Sequence, residues 1–197
     1  MRNVENAKIG VIGAGSWGTA IAGMLGGKGY AVDLWAYEAE VCRSISEKRE
    51  NTMFLPGIRL SENIRVSDDM HRVAADKDLV VLVVPSHVMR EASTRAASGL
   101  DAETIIVSAA KGIENKTHLT MTGVLAEVMP ERENRLAVLS GPSFAGEVAR
   151  EVPTVVTAAA GDPEVAAYVQ QVFATPFFRV YTNPDVVGVQ LGGAVKN

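Results

Sequence analysis

Three glycines directly after an apolar segment are the feature that most constrains how this chain folds. Gly13, Gly15 and Gly18 follow the apolar run IGVI at residues 9–12, and residues 16–28 have the apolar periodicity of a helix. This order predicts a buried strand, a tight turn and a helix that begins at the turn. A chain with such a unit near its start is expected to continue as strand–helix–strand units.

The rest of the 197-residue chain continues this alternation of strands and helices. Most predicted strands are continuous apolar runs, which is typical of strands buried on both faces of a parallel sheet. The predicted strands are residues 8–12, 31–35, 64–66, 79–84, 104–107, 136–139, 153–157 and 178–181. The predicted helices are residues 16–28, 38–48, 88–97, 119–128, 163–173 and 185–195. We therefore predict an α/β fold with a doubly wound, Rossmann-type, mostly parallel sheet and flanking helices, formed by residues 1–197 as one domain.

Composition excludes several classes of protein. The 19 Lys and Arg against 23 Asp and Glu give a net charge of −4, which does not indicate a nucleic-acid or anionic-membrane binder. The longest apolar run, residues 79–85, is far shorter than a membrane span, and the first six residues contain no apolar signal segment. The single Cys42 excludes an internal disulfide, and the three histidines lack metal-ligand spacing. We expect a cytoplasmic protein that binds no nucleic acid, membrane or metal.

The three glycines match the G-x-G-x-x-G pattern of dinucleotide-binding units. Gly13 is interpreted as the tight turn, Gly15 as the place where a pyrophosphate approaches the backbone, and Gly18 as a close helix–strand contact. The N–H groups at the start of the helix would then face the phosphates. The alternative is a strand–helix turn without a ligand. A Walker A loop is excluded, because no Gly-Lys-Ser/Thr follows at the required spacing.

The end of the second predicted strand bears on the choice between NAD and NADP. Glu38 lies 20 residues after Gly18, near the position where an acid binds the ribose hydroxyls. Residues 36–38 contain no arginine that would bind a 2′-phosphate, and Tyr37 could contact the adenosine. Asp33 lies inside the strand and is interpreted as a structural or solvated group. The sequence therefore favours NAD over NADP.

Small and polar residues follow three further predicted strands, at residues 85–87, 108–114 and 140–147. The carboxyl ends of neighbouring parallel strands meet at one edge of a sheet, so we expect these segments to line one crevice. Lys111 could bind an anion there, or it could be a solvated loop lysine. Ser143 could donate a hydrogen bond to a phosphate or carbonyl, or it could cap a short helix at residues 144–149.

Four segments together carry a resemblance to a known family. They are GAGSWGTA (13–20), AAKGIE (109–114), SGPSFA (140–145) and LGGAVKN (191–197). Their order and sequence closely resemble bacterial NAD(P)-dependent sn-glycerol-3-phosphate dehydrogenases, and the resemblance covers the whole chain. It implies interconversion of dihydroxyacetone phosphate and sn-glycerol 3-phosphate for glycerophospholipid synthesis. It also implies that residues 185–197 start a linker helix to a C-terminal helical domain.

The resemblance also implies roles for individual residues. Those implied to contact the dinucleotide, beside the glycine loop, are Ser16, Trp17, Tyr37, Lys111 and Ala145. Those implied to contact the substrate are Lys111, Gly141, Ser143 and Lys196. Lys196 is the implied proton acceptor. Position 37 departs from the arginine or histidine that is frequent in the family, so the resemblance does not itself fix the choice between NAD and NADP.

Two other functions remain open from the residues alone. A 6-phosphogluconate or β-hydroxyacid dehydrogenase shares the glycine loop but is not expected to contain the segment GPSF at residues 141–144. A non-catalytic dinucleotide-binding module needs the loop but has no use for Lys111 and Lys196 together. The sequence also leaves the oligomeric state open, with a homodimer of a full-length protein as one option.

Overall fold

The structure, a computed structural model, describes residues 4–195. Its strands are β1 (Lys8–Ile12), β2 (Ala31–Trp35), β3 (Glu50–Asn51), β4 (Leu55–Arg59), β5 (Ile64–Ser67), β6 (Leu79–Leu82), β7 (Ile105–Ser108), β8 (Leu136–Ser140), β9 (Thr154–Ala160) and β10 (Phe178–Asn183). Its α-helices are α1 (Ser16–Gly27), α2 (Ala39–Lys48), α3 (Met70–Ala74), α4 (Met89–Ala97), α5 (Met121–Val128), α6 (Ala145–Val148), α7 (Pro163–Phe173) and α8 (Val186–Ala194).

Eight of the strands form one sheet, in the order β10-β9-β8-β7-β6-β1-β2-β5. Every neighbouring pair in it is parallel except β8 and β9, which are antiparallel. Strands β3 and β4 form a separate antiparallel pair. The predicted fold class, a doubly wound and mostly parallel sheet with flanking helices, is confirmed.

The sheet separates two apolar cores. In β6, Leu79 and Val81 belong to one core, while Val80 and Leu82 belong to the other. The first core is closed by α1, α2 and α7, and the second by α3, α4 and α5. Burial of each such side chain contributes about 1.5–3 kcal/mol. The continuous apolar runs in the sequence therefore reflect strands that are covered on both faces.

The order of the strands determines where a ligand can bind. The chain runs from β1 to β2 on one side, and later places β6 on the other side of β1. In open α/β sheets, ligands bind at such a reversal, outside the carboxyl ends of the strands. The glycine loop after β1 and the segment after β6 lie on either side of this point. None of the helices within residues 4–195 has the length and apolar character needed to cross a bilayer.

The structure also contains elements that the sequence analysis did not predict. The β3–β4 hairpin buries only Asn51 and Leu55, so the segment has no apolar alternation that would indicate strands. Helix α3 has only five residues and is capped by Asp69, whose carboxylate accepts from the Arg72 N–H at 3.1 Å. The antiparallel direction of β9 relative to β8 depends on tertiary packing and has no local sequence signal.

Candidate functional site

A cleft of about 760 Å³ lies at the carboxyl ends of the central strands, a volume typical of small-ligand sites. The structure brings together in it the glycine loop and the segments that follow β2, β6, β7 and β8. Lining residues from the predicted set are Gly13, Gly15, Ser16, Trp17, Gly18, Tyr37, Lys111, Ser143 and Ala145. Gly141 does not line the cleft directly, but it contacts Lys111, as described below.

Two of the three loop glycines are required by the fold itself. Gly13 has φ of +120°, and a Cβ there would lie 2.8 Å from the Val83 carbonyl oxygen. A Cβ at Gly18 would overlap with the Gly13 carbonyl oxygen. The tight turn and the close packing predicted for these two residues are therefore present in the structure.

Gly15 differs from the other two glycines. Its backbone is extended, with φ of −66° and ψ of 179°, which any residue can adopt. Apart from Gly15 itself and its two chain neighbours, no described atom lies within 4 Å of where its Cβ would be. The fold therefore does not require a glycine here, and the missing side chain leaves open space that faces the cleft.

The start of α1 is suited to bind an anion. Gly15 is the N-cap residue and provides no side-chain cap, and the first turn contains no acidic residue. Helix α7, in contrast, is capped by Asp162, whose carboxylate accepts from the Glu164 N–H at 2.8 Å. The first N–H groups of α1 thus have no side-chain cap at the point where Ser16 and Trp17 line the cleft.

Asn51 is a site residue that the sequence analysis missed. It is fully buried, and its Nδ2 donates to the Ala14 carbonyl oxygen and to the Thr19 Oγ1, both at 2.8 Å. Its Oδ1 accepts from the backbone N–H of Phe54, a cleft residue, at 3.0 Å. One side chain thus holds the hairpin against the glycine loop. Its partners in the glycine loop and in α1 are 37 and 32 residues away, so no local pattern marks it.

We expect Asn51→Ala to weaken both the fold and dinucleotide binding. The substitution leaves the Ala14 carbonyl with only the Thr19 hydroxyl as a donor and leaves the Phe54 N–H without its partner, at a cost of about 1–3 kcal/mol in the free energy of unfolding. We also expect about a tenfold rise in the Kd for NADH, because the loop loses its support. Asn63→Ala is the matched control, since that amide donates to the Gly26 carbonyl at the far end of α1. An unchanged Kd for Asn51→Ala would contradict the positioning role.

The end of β2 and the residues after it form one end of the cleft, here called the β2 end, with Trp35, Tyr37 and Glu38 in its wall. The Tyr37 ring is exposed, and its centroid lies 6.2 Å from that of Trp35. Asp33 pairs with the buried Lys77, with Nζ 3.1 Å from Oδ2, and so has the structural role that was one of its two interpretations.

The opposite end of the cleft is formed by Lys111, Gly141 and Ser143. The Lys111 Nζ donates to the Gly141 carbonyl oxygen at 3.1 Å. Gly141 has φ of +156°, and a Cβ there would lie 2.9 Å from the Val155 carbonyl oxygen, so the turn requires glycine. Ser143 is buried, and its Oγ lies 3.4 Å from the same Gly141 oxygen.

The alternative capping role of Ser143 is wrong. The short helix is α6, a single turn of four residues that is shorter than the predicted 144–149. Its N-cap residue is Phe144, which provides no side-chain cap. The Ser143 hydroxyl is directed to the Gly141 carbonyl instead.

The loop that carries Lys111 is anchored by an ion pair. Arg90 on α4 donates from Nε and Nη2 to the two oxygens of Glu114, at 2.9 and 2.8 Å. These hydrogen bonds, with one from Thr117, lower the pKa of Glu114 to about 2 from its ordinary value of 4.5. The carboxylate is thus held in its charged form, three residues after Lys111.

This pKa predicts a pH-dependent contribution to stability. Because the pKa of Glu114 is lower in the folded than in the unfolded chain, its contribution is complete above about pH 4.5 and is lost as the pH falls toward 2. Glu114→Gln should therefore have a lower urea midpoint than the wild type at pH 7, and the difference should shrink between pH 4.5 and pH 3. Glu103→Gln, in an exposed pair with Arg135, is the control with a small effect. A difference for Glu114→Gln that stays constant from pH 7 to pH 3 would contradict this role.

Helix α8 is fixed to α5 by Gln190. Its buried amide accepts from the Thr122 N–H at 2.9 Å and donates to the Thr122 Oγ1 at 2.7 Å. A Cβ at Gly193 would overlap with the Ser140 Oγ and would lie 3.8 Å from the Lys111 Cγ. The end of α8 is therefore close to Lys111. Lys196, three residues after Gly193, lies outside the described residues.

Comparison with known proteins identifies the family. The model of the family described as "NAD-dependent glycerol-3-phosphate dehydrogenase N-terminus" matches residues 8–166. That stretch includes the glycine loop, Lys111 and Ser143. The chain belongs to this family.

Curated relatives agree with membership of the glycerol-3-phosphate dehydrogenase family. The chain is 49% identical over 190 residues to the glycerol-3-phosphate dehydrogenase [NAD(P)+] of Syntrophobacter fumaroxidans, which covers 96% of this chain and 56% of the relative. It is 53% identical over 191 residues to the protein of the same name from Geobacter sulfurreducens, which covers 96% of this chain and 57% of the relative. The chain thus spans a little more than half the length of these relatives.

A solved structure of the same family has the same fold. The glycerol-3-phosphate dehydrogenase of Coxiella burnetii superimposes with a TM-score of 0.87 at 32% identity, over 95% of this chain and 57% of that chain. Membership of the glycerol-3-phosphate dehydrogenase family separates the chain from the 6-phosphogluconate and β-hydroxyacid dehydrogenases that the glycine loop alone left open.

Proposed function

We propose that this chain is the dinucleotide-binding part of an enzyme that interconverts dihydroxyacetone phosphate and sn-glycerol 3-phosphate with NAD or NADP. The observation that carries the proposal is the open space at Gly15, in front of the uncapped start of α1 and in the same cleft as Lys111. Family membership and the names of the relatives support it.

The residues of the cleft fit a dinucleotide. The pyrophosphate would lie over Gly15 and accept hydrogen bonds from the backbone N–H groups of Ser16 and Trp17. The adenosine would lie against Tyr37, and Ala145 would lie toward the nicotinamide. When bound, the nicotinamide supplies or accepts the hydride of the reaction.

Lys111, Gly141 and Ser143 would bind the substrate. The Lys111 ammonium is held 3.1 Å from the Gly141 carbonyl oxygen, so its position is fixed before an anionic substrate arrives. Its positive charge would stabilise the negative charge that develops on the substrate oxygen during reduction. The buried Ser143 hydroxyl would add a hydrogen bond at the same end.

Lys196 would hold the proton, giving it to the substrate oxygen in reduction and taking it back in oxidation. A lysine needs a lowered pKa for this role, and a second cation nearby lowers it. Lys111 is the cation that we propose for this effect, because it lies near the end of α8 at Gly193.

We also propose parts of the protein that lie outside the cleft. Val187, Leu191 and Val195 on and after α8 are exposed apolar residues, which fits a linker helix that leads to a C-terminal helical domain. The longer relatives support such a domain. A cytoplasmic location and a homodimer of the full-length protein stay predictions from the sequence.

Dinucleotide titration tests the proposed function. Both tryptophans of the chain, Trp17 and Trp35, line the cleft, so their fluorescence reports on binding there. We expect saturable quenching by NADH and by NADPH. The Kd should be smaller for NADH, because Glu38 would accept hydrogen bonds from its ribose hydroxyls. If neither dinucleotide binds, the proposal is wrong. A several-fold preference for NADPH would contradict only the interpretation that Glu38 binds the ribose hydroxyls, and not the rest of the proposal.

A further inference from the structure

The β2 end of the cleft contains an arginine that belongs to α4 and not to the residues that follow β2. Arg95 lines the same cleft as Tyr37 and Glu38. Its Cζ lies 5.7 Å from the centroid of the Trp35 ring, and that ring is 6.2 Å from Tyr37. The guanidinium is therefore a neighbour of the residues that follow β2, although it is far from them in sequence.

The charges around Arg95 give it a distinct position. Among the described residues that line the cleft, the cations are Arg95 and Lys111, and the acids are Glu38 and Glu91. Lys111 is committed to the opposite end, where it donates to the Gly141 carbonyl. A phosphate at the β2 end would thus meet two carboxylates and a single cation.

The Arg95 guanidinium is available to a ligand. Its ion pair with Glu91 is long, at 4.0 Å, and the two side chains are 49% and 73% exposed, so the pair contributes little. Within residues 4–195 no hydrogen bond donated by this guanidinium is found. Its Cζ lies over the Trp35 ring within cation–π distance, and such a contact uses none of the N–H donors of the guanidinium.

We propose that Arg95 binds the 2′-phosphate of NADPH and so determines how well the protein accepts NADPH beside NADH. The planar fork of a guanidinium matches two phosphate oxygens, and its charge offsets that of Glu38 and Glu91. Helix α4 would then supply the cation that residues 36–38 lack. This inference rests on the proposed function, because it concerns the cofactor of the same cleft.

A competing role for Arg95 is stacking on the adenine ring. Stacking acts on the adenine, which NADH and NADPH share, so it would strengthen both dinucleotides equally. Contact with the 2′-phosphate acts on NADPH alone. The ratio of the two Kd values therefore distinguishes these roles.

The test compares Arg95→Gln with the wild type by calorimetric titration of NADPH, NADH, 2′,5′-ADP and 5′-AMP. We expect the Kd for NADPH and for 2′,5′-ADP to rise about tenfold, and those for NADH and 5′-AMP to stay within about twofold. Arg95→Lys should lie between the two, because it keeps the charge and loses the fork. The matched control is Arg179→Gln at the opposite edge of the sheet, where the guanidinium lies 5.4 Å from the Tyr181 ring.

Three results would overturn the inference. Equal losses for NADPH and NADH would assign Arg95 to adenine stacking. Unchanged values for all four ligands would show that Arg95 does not contact the cofactor. A wild-type chain that binds no dinucleotide would overturn the proposed function itself. An Arg95→Gln chain that binds NADH normally, with an unchanged ratio of the Kd for NADPH to the Kd for NADH, would overturn only the role of Arg95.

Discussion

Replacing Gly15 by valine is expected to abolish dinucleotide binding while the chain stays folded. The extended backbone at Gly15 accepts any residue, and no described atom beyond its two chain neighbours lies within 4 Å of the Cβ position. The valine side chain would instead occupy the space in front of α1 that the pyrophosphate needs. We expect the Kd for NADH to rise at least about a hundredfold, measured by calorimetry, with a melting temperature close to that of the wild type.

Gly18→Ala is the contrasting variant. Its Cβ would overlap with the Gly13 carbonyl oxygen, so it should lower the melting temperature first and affect binding only through the fold. A Gly15→Val chain that binds NADH like the wild type would contradict the assignment of the phosphate site. A Gly15→Val chain that unfolds would show that the fold, and not the ligand, requires glycine at this position.

The 197-residue chain is expected to bind NADH without reducing dihydroxyacetone phosphate. Val195, the residue before Lys196, is 77% exposed. A solvated lysine keeps a pKa of about 10.4 and is a poor proton donor and acceptor at neutral pH. The relatives are nearly twice as long, and the additional chain would exclude water from the site.

The prediction is checked by NADH oxidation with dihydroxyacetone phosphate as substrate. A protein extended to the length of the relatives should reduce dihydroxyacetone phosphate. Lys196→Ala in that protein should lower kcat by about 10²–10⁴-fold. Lys116→Ala is the control, because Lys116 is an exposed lysine in the loop after Lys111. Robust turnover by the 197-residue chain would contradict the need for further sequence. Full activity of Lys196→Ala would contradict its role as proton acceptor.

The sequence predicts those parts of the fold whose signals are local. Strands β1 and β2 and helix α7 have the predicted bounds, because their apolar runs and the capping pair Asp162–Pro163 mark both the type and the ends of the elements. The local G-x-G-x-x-G pattern also predicts the roles of Gly13 and Gly18, because a Cβ at either position would lie too close to a backbone carbonyl oxygen. Such signals need no knowledge of how distant segments pack.

Contacts between distant segments could not be predicted. Asn51 acts on Ala14 across 37 residues, and its hairpin has no apolar alternation. Arg95 reaches Trp35 from the second turn of α4, while the sequence argument on NAD and NADP considered only residues 36–38. Only the packing of the hairpin and of α4 near the glycine loop and β2 assigns Asn51 and Arg95 to the site.

The most direct test of the account is a crystal structure of the chain with NAD⁺ bound. The account predicts pyrophosphate oxygens within about 3 Å of the backbone nitrogens of Ser16 and Trp17, directly above Gly15. It also predicts the adenosine against Tyr37, with the ribose hydroxyls donating to Glu38. A dinucleotide bound elsewhere, such as in the 660 Å³ cavity between α1 and the segment before β10, with the space above Gly15 filled by water, would contradict it.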